Sequence, residues 1–299
     1  METRSVLTEL EKGLIFDGAM GSILIDAGLA AGRASESWVI ERPVEVKKVH
    51  TAFAMAGAEV ITTCTFGGNR LKLEAAGLAD NIEAINRQAA RLARDSAENK
   101  RFVAGNIGPT GQLLMPNGPL SEKEAQKTYA EQAGILSQNG VDFFTLATFY
   151  DLQEMTAAIQ GVRSVSELPV FASMTFQETE HGYYTMMGNP VTACMTAMLE
   201  AGAAIVGANC TLDSERMIAL AQVIRRVVNT PILIFPNAGS LEIKNGKPHY
   251  TEDAGIFAEN MLRIKSLGVE AIGGCCGTTP THIRHMSEKI HQHFNGSLS

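Results

Sequence analysis

Apolar and β-branched residues are concentrated along the chain in short runs, and segments with helical spacing of apolar residues lie between them. A run of four to eight such residues without strict alternation is typical of a parallel strand buried on both faces. We therefore predict eight buried strands. They lie at residues 14–20, 59–66, 102–108, 142–148, 170–176, 204–210, 232–237 and 271–276.

The segments between the runs predict helices that end at glycine. Val46, Val49 and Phe53 have helical spacing before Gly57, and a glycine precedes three later runs in the same way. Glycine at this position lets a helix end in the left-handed conformation. Eight strand–helix units in 299 residues predict an α/β fold, a (βα)8 TIM barrel, formed by one domain over residues 1–299. A doubly wound open sheet, usually of six strands, is the alternative.

Composition limits the possible partners. The chain is 45% hydrophobic, which is enough for a large core, and its net charge of −7 argues against nucleic acid as a partner. No apolar run approaches the ~18 residues that a membrane span requires, and the amino-terminal segment has no apolar signal region. Five cysteines, an odd number, do not indicate a disulfide framework. We expect a cytoplasmic protein without membrane contact.

Candidate functional residues should stand where the runs end. Long segments follow several of the runs, and in barrels such loops follow the carboxyl ends of the strands, where active sites lie. No lysine ends a run, so the sequence offers no nucleophile for a Schiff-base mechanism. The run ends carry Asp17, Cys64, Asn106, Ala147, Thr148, Thr175, Cys210, Asn237, Cys275 and Cys276.

Three of these residues, Cys210, Cys275 and Cys276, are cysteines on the sixth and eighth runs. The sixth and eighth strands of a barrel flank the seventh, so their carboxyl ends are within reach of one shared ion. Zinc prefers thiolate ligands in tetrahedral geometry, and a catalytic zinc keeps one position open for an exchangeable ligand. We therefore predict a zinc site with three cysteine ligands.

The segment "GGCCGTTP" at 273–280 has other interpretations. Cysteine is often a small buried apolar residue. Two neighbouring thiols could form a redox pair, although a vicinal disulfide is strained and is disfavoured in the cytoplasm. A glycine-rich turn after the eighth strand is also a common phosphate site in barrels, but thiolates there would repel a phosphate.

Five motifs together resemble the homocysteine S-methyltransferase family, and most closely the homocysteine-binding module of its cobalamin-dependent members. The resemblance implies a (βα)8 barrel whose zinc is bound by Cys210, Cys275 and Cys276, with Asn237 approaching the zinc when no thiol is present. The motifs are "DGAMGS" (17–22), "GNIGPTG" (105–111), "GANC" (207–210), "PNAG" (236–239) and "GGCCGTTPTHI" (273–283).

The resemblance also implies a substrate site, in which Asp17, Gly18, Ala19 and Met20 hold the amino-acid part of homocysteine. The family's fourth strand ends with a glutamate that contacts the substrate ammonium, whereas this chain has Ala147 there. Without that glutamate, a charge-assisted hydrogen bond of about 1.5–3 kcal/mol is missing. Either homocysteine binds more weakly, Asp17 holds the ammonium alone, or the natural thiol has no ammonium.

The chain departs from the family at the second run as well, where Cys64 replaces an asparagine. Cys64 is interpreted either as a small buried residue or as an additional thiol at the mouth of the barrel. A methylcorrinoid is the expected methyl donor, and because 299 residues leave no room for further modules, we expect a separate corrinoid protein to carry it. The loop 177–189, rich in tyrosine and methionine, is either a docking or lid surface or a self-packed loop.

Three functional hypotheses follow. The first is a zinc-dependent S-methyltransferase that acts on a thiol, homocysteine by default, in methionine biosynthesis. The second keeps the zinc-thiolate chemistry but changes the thiol or the direction to demethylation, as the alanine at position 147 favours. The third is a non-catalytic binding subunit, against which the three intact cysteines weigh.

Overall fold

The computed structural model describes residues 5–30, 32–244 and 247–295. Within these residues the strands, in chain order, are β1 Leu14–Ile15, β2 Val60–Thr62, β3 Phe102–Ile107, β4 Phe143–Phe149, β5 Val170–Met174, β6 Gln177–Thr179, β7 Gly182–Tyr184, β8 Ile205–Asp213, β9 Ile232–Asn237, β10 Leu241–Lys244, β11 Lys247–Tyr250 and β12 Ala271–Ile272. The α-helices are α1 Val6–Leu10, α2 Met20–Asp26, α3 Ser37–Glu41, α4 Pro43–Met55, α5 Arg70–Ala75, α6 Ile82–Ala97, α7 Glu122–Gln138, α8 Leu152–Arg163, α9 Val191–Glu200, α10 Ser214–Val227, α11 Ala254–Ser266 and α12 Pro280–Asn295. In this described part of the chain, no helix is long and apolar enough to cross a membrane.

Eight of these strands form one parallel sheet in the order β1-β12-β9-β8-β5-β4-β3-β2. The first and last strands of that order also meet, because Phe16 directly after β1 forms a parallel bridge with Val60 of β2. Across this seam Glu59 N donates to Ile15 O at 2.7 Å, and Asp17 N donates to Val60 O at 3.2 Å. The sheet is therefore closed. The predicted (βα)8 barrel is confirmed, and the open sheet is wrong.

Aromatic side chains fill the inside of the barrel. Phe16, Phe143, Phe171 and Phe235 belong to one buried cluster. The ring centroids of Phe143 and Phe171 are 4.3 Å apart, and those of Phe16 and Phe235 are 4.8 Å apart. Leu10 of α1 is buried in the same cluster. Because the interior is packed, polar groups can gather only at the carboxyl ends of the strands.

Five barrel strands end before the sequence predicts, β3 and β5 by one and two residues and the other three by four or five. β1 ends at Ile15, and Met20, predicted to end the first strand, instead begins α2. Likewise β2 and β12 cover only the first part of the runs 59–66 and 271–276. Glycines at 18, 273 and 274 weaken the extended conformation there and let the chain turn across the mouth. In contrast, β8 continues past its predicted end to Asp213.

The turns that lead into the strands follow the prediction. Gly57 and Gly140 have φ angles of +98° and +86°, in the left-handed region that glycine tolerates. The sequence did not predict any strands within the loops that follow the barrel strands. The loop after β5 contains the antiparallel hairpin β6–β7, and the loop after β9 contains the hairpin β10–β11. Both hairpins therefore stand at the mouth of the barrel.

Candidate metal centre and substrate cavity

The three cysteines that the sequence singles out come together at the mouth of the barrel. Cys210 lies in β8, and Cys275 and Cys276 lie in the turn between β12 and α12. The Sγ atoms of Cys210 and Cys276 are 3.8 Å apart, and all three sulfur atoms lie within 4.8 Å of one another. All three are half-buried free thiols.

The backbone is bent to place these sulfurs. Cys210 and Thr211 have φ angles of +61° and +63°, and the pairing of β8 with β9 shifts register between Asn209 and Asp213. A non-glycine residue in the left-handed region is uncommon, and such strain concentrates at functional sites. The bend turns the Cys210 side chain out of the strand and into the mouth.

The turn that carries the other two cysteines is fastened to β9. Cys275 N donates to Pro236 O at 2.7 Å, and Ala238 N donates to Cys276 O at 2.9 Å. Thr278 Oγ1 donates to Cys275 O at 2.7 Å, which closes the turn on itself. The backbone of the cysteine pair is thus held on both sides.

The donor set fits a tetrahedral zinc ion. With Zn–S distances of about 2.3 Å, the edge of a tetrahedron is about 3.8 Å, which agrees with the separation of the Cys210 and Cys276 sulfurs. Asn237 ends β9, the strand between the two that carry the cysteines. Its Oδ1 atom is buried and has no hydrogen-bond partner among the described residues. A buried amide oxygen without a hydrogen-bond partner, at the end of the strand between the two cysteine-bearing segments, is available to a cation.

The three thiols are electrostatically coupled. Hydrogen bonds from Cys210 and then from Cys275 lower the pKa of Cys276 below its usual value. Hydrogen bonds with Cys210 and then with Cys276, together with burial, raise the pKa of Cys275 well above its usual value. One thiolate is therefore stable in the cluster, but a second and third would repel it. A divalent cation would offset that repulsion and replace the remaining protons.

A cavity of about 660 Å³ opens at the same end of the barrel. The three cysteines form one part of its wall, and segments after β1 and β2, together with residues of β3, β4 and β8, contribute other parts. Its lining includes Asp17, Glu36, Cys64, Ala147, Thr148, Cys210, Cys275 and Cys276. The three predicted cysteine ligands and the predicted substrate residues thus line one cavity, whereas Asn237 is not part of its lining.

Asp17 is a buried carboxylate in this wall, with only 5% of its surface exposed. Its Oδ2 accepts from Thr62 N at 2.8 Å, and its Oδ1 accepts from Thr62 Oγ1 at 2.9 Å. Burial outweighs these hydrogen bonds and raises the pKa of Asp17 to about 7. At neutral pH the group is therefore poised between its charged and neutral forms.

The three residues after Asp17 lie against the cysteine turn. Ala19 N donates to Thr278 Oγ1 at 3.1 Å. A side chain at Gly18 would collide with Thr278 and with Phe53, so the close approach requires glycine. Met20 begins α2 and lines the cavity. The segment predicted to hold the amino-acid part of the substrate therefore borders the same cavity as the cysteines.

The wall formed by β4 carries no carboxylate. Ala147 is half-buried and is followed by Thr148, whose φ angle is +67°. Two neutral polar atoms of the lining, Asn106 Oδ1 and Thr145 Oγ1, are buried and have no hydrogen-bond partner in the described chain. The cavity thus offers neutral hydrogen-bonding groups close to the position where the family has glutamate.

Cys64 is separate from the metal centre. Its side chain is 4% exposed, and its Sγ donates to Ser35 O at 3.9 Å. Burial, and then the charge of Glu36, raise the pKa of the thiol well above its usual value. Of the described residues, only Cys210, Cys275 and Cys276 form a group of three potential metal ligands. The structure therefore places Cys64 in the cavity wall as a buried neutral thiol.

Sequence reasoning missed several residues of the site. Glu36, buried with Oε1 accepting from Gly67 N at 2.6 Å, precedes the short helix α3 and has no motif around it. Tyr250 ends the β10–β11 hairpin, and its ring lies against Gly277; burial, and then the charge of Cys276, raise its pKa. Asn209 stands inside the motif "GANC", which was the available signal.

The fold and the site together define a class of protein. It is a closed (βα)8 barrel that can hold a thiophilic metal on three thiols in the wall of the cavity at its mouth. The family follows from the sequence comparison. The model of the homocysteine S-methyltransferase family matches residues 14–290, and the chain belongs to this family. The resemblance noted above is confirmed, and so is the prediction of a methyltransferase, at the level of the family.

Among individual proteins, the chain is similar to two methionine synthases. It is 27% identical over 315 residues to that of Mycobacterium leprae, and 28% identical over 298 residues to that of Mycobacterium tuberculosis. The matches cover 99% and 94% of this chain but only 26% and 25% of the relatives, so the chain spans about a quarter of their length.

Solved structures of similar fold include the homocysteine methyltransferase MmuM from Escherichia coli. Its metallated form matches with a TM-score of 0.79 and 22% identity, over 95% of this chain and 98% of that chain. Its oxidized form matches with a TM-score of 0.80 and 21% identity, over 96% and 98%. At this level of identity the likeness supports the barrel fold.

Proposed function

We propose that the chain is a zinc-dependent S-methyltransferase that methylates homocysteine, with a methylcorrinoid on a partner protein as donor. The observation that carries this proposal is the three-thiol centre in the cavity wall, with two of its sulfurs at the spacing of a zinc tetrahedron. In the reaction the acceptor thiol loses its proton, a new S–CH3 bond forms, and the bond from the methyl group to the donor breaks. With homocysteine the product is methionine, which would place the protein in methionine biosynthesis.

The metal centre explains how a thiol could become reactive without an acid–base pair. A zinc ion held by Cys210, Cys275 and Cys276 would lower the pKa of a thiol in its open position and supply a nucleophilic sulfur. The three thiolates exceed the charge of the dication by one, so they keep an incoming sulfur electron-rich. Asn237, with its orphaned Oδ1, would occupy the open position when no thiol is bound.

The substrate residues would act by binding and orientation. Asp17, once ionised, presents a buried carboxylate to an ammonium group, and its two bonds from Thr62 fix that carboxylate. Gly18, Ala19 and Met20 bring backbone close to the cysteine turn, where the amino-acid part of homocysteine would lie. Since the pKa of Asp17 is about 7, binding through this contact strengthens as pH rises through that value.

A different thiol acceptor, or the reverse direction with a methylated thiol as substrate, is the second candidate. The observation in its favour is the β4 wall, where Ala147 and the unpaired neutral atoms of Asn106 and Thr145 replace a carboxylate. Such a wall would suit a thiol without an ammonium. A non-catalytic binding subunit is less consistent with the structure, because a purely structural role would not require three thiols in an open cavity.

The rim of the cavity supports a docking role for a corrinoid protein. Met186 in the loop 177–189 is 67% exposed, and Met115, Leu241 and Ile243, in the segments that follow β3 and β9, are 55–68% exposed. In the same loop Tyr183 packs against the core. The loop is thus anchored by its own packing and still exposes an apolar side chain at the end of the barrel where the cavity opens. A single barrel domain over residues 1–299 and a cytoplasmic location stay predictions.

The proposal is tested by metal analysis together with methyl transfer. Purified protein should contain about one zinc per chain, and the double variant Cys275→Ala, Cys276→Ala should lose it. Cys64→Ala is the matched control, because that thiol lies outside the centre and should not change zinc content. Methyl transfer from methylcobalamin is then measured with homocysteine and with thiols that lack an ammonium. Full zinc retention in the double variant, or no transfer to any thiol by zinc-loaded protein, would contradict the proposal.

A further inference from the structure

The side chain of Asn209 connects three parts of the site. It is 2% exposed and directly precedes Cys210 in β8. Its Oδ1 accepts from Thr148 N at 2.8 Å and from Ser173 Oγ at 2.8 Å. Its Nδ2 donates to Thr148 Oγ1 at 2.7 Å and to Cys275 Sγ at 3.6 Å. The two acceptor and two donor positions of the amide are therefore all used.

The orientation of this amide is fixed by chemistry. A backbone N–H can only donate, so the amide atom that contacts Thr148 N must be the oxygen. The atom that faces Cys275 is then the nitrogen, and the contact is an N–H···S hydrogen bond. Rotation of the amide by 180° would place a donor against the Thr148 N–H.

We propose that Asn209 is a positioning residue of the metal centre, which holds the Cys275 sulfur through this N–H···S hydrogen bond and ties it to Thr148 of β4. The inference rests on the proposed metal-thiolate function. A donor beside a thiolate stabilises its charge and limits its rotamers. Partners of this kind around metal ligands typically change metal affinity 10–100-fold.

The same amide holds the wall of the cavity. Thr148 is β-branched and has a φ of +67°, a conformation that such residues rarely adopt. Both its backbone N–H and its hydroxyl are bonded to Asn209. Ala147, the adjacent residue, lines the cavity. One side chain, that of Asn209, thus sets both the position of the Cys275 sulfur and the position of the cavity wall at Ala147.

The test uses Asn209→Asp, which keeps the size and the Oδ1 acceptor but replaces the Nδ2 donor with an oxygen. Ser173→Ala is the matched control, since it removes one bond to Oδ1 and leaves the N–H···S donor in place. Zinc affinity is measured by competition with a chromophoric chelator. The thiolate-to-cobalt charge-transfer band of the Co²⁺-substituted protein reports the Cys275 sulfur directly. Thermal melts of the metal-free proteins show whether each variant is folded.

We expect Asn209→Asp to lower zinc affinity 10–100-fold and to shift the cobalt band, and Ser173→Ala to stay within about threefold of wild type with an unshifted band. Affinity and spectrum unchanged in Asn209→Asp would overturn the inference, and so would an equal loss in Ser173→Ala. If Asn209→Asp does not fold, Asn209→Ser, which is too short to reach Cys275, must show the same loss. Absence of zinc from the wild type would instead refute the proposed function itself.

Discussion

The stability of the barrel should depend on pH through a buried histidine. His50 in α4 is fully buried, and in the described structure neither ring nitrogen has a hydrogen-bond partner. Burial alone lowers its pKa from 6.5 to about 3. Between these values the unfolded chain binds a proton at His50 and the folded chain does not. Its contribution to stability is therefore lost as pH falls below 6.5.

The size of the effect follows from the two pKa values. At pH 5 the unfolded state gains about 2 kcal/mol from protonation at His50, relative to pH 8. Asp17 has the opposite sign, because its pKa is raised in the folded state from 3.8 to about 7. Its protonation on folding adds about 2–3 kcal/mol of stability between pH 8 and pH 5. The two nearly cancel in the wild type, so only a comparison with a variant isolates His50.

The variant His50→Leu removes the titrating group and keeps an apolar side chain in its place. In urea unfolding of the metal-free proteins, the stability of the variant minus that of the wild type should increase by about 2 kcal/mol from pH 8 to pH 5. For 299 residues this corresponds to a relative change in Tm of about 3 °C. His50→Gln, with a different absolute stability, should show the same change with pH. A difference that is constant with pH in both variants would show that His50 is protonated or hydrated in the folded state.

Three further predictions concern the site. Ala147→Glu should tighten homocysteine binding about 10- to 100-fold and weaken thiols without an ammonium, since it adds a carboxylate to the cavity wall; calorimetric titration that shows unchanged homocysteine binding would mean that another group already holds the ammonium. Asp17→Asn should weaken homocysteine binding at pH 8 and reduce its increase between pH 6 and pH 8 to the part that proton loss from the zinc-bound thiol supplies; titrations in which the increase is as large as in the wild type would exclude a contribution from Asp17. Chelation of zinc should leave the far-UV circular dichroism unchanged, because the barrel core does not depend on the metal; an unfolded spectrum at room temperature would show instead that the metal is structural.

The fold could be predicted because its signals are local. Each βα unit repeats a buried run and a helix, four of these helices end at a glycine, and eight repeats are sufficient to indicate a closed barrel. Strand ends could not be predicted to the residue. At the mouth the backbone is shaped by contacts between distant segments, such as Gly274 N with Asp17 O at 3.1 Å. The two hairpins were missed because short exposed strands carry little apolar pattern.

More residues of the candidate metal centre than of the surrounding cavity could be predicted from the sequence. The three cysteines belong to the runs on either side of the seventh strand, so the barrel topology indicates that they meet at one end of the sheet. Glu36 and Tyr250 reach the site from loops, and their positions depend on packing that no local pattern encodes. Thr145 precedes Ala147 by two residues in β4. Because side chains alternate between the two faces of a strand, this spacing could have indicated that Thr145 also faces the cavity.

The directions of the Cys275 and Cys276 side chains explain why two cysteines are adjacent in a glycine-rich turn. Cys275 faces Asn209, while Cys276 faces Cys210, so neighbours in sequence serve two sides of one centre. In an extended strand, adjacent side chains would point to opposite faces of the sheet, and one of them would leave the mouth. The turn that avoids this must be tight. A side chain at Gly274 would collide with Thr278, and one at Gly277, whose φ is +82°, would collide with Tyr250. Each glycine of "GCCG" is therefore required by the packing that brings both sulfurs to the same centre.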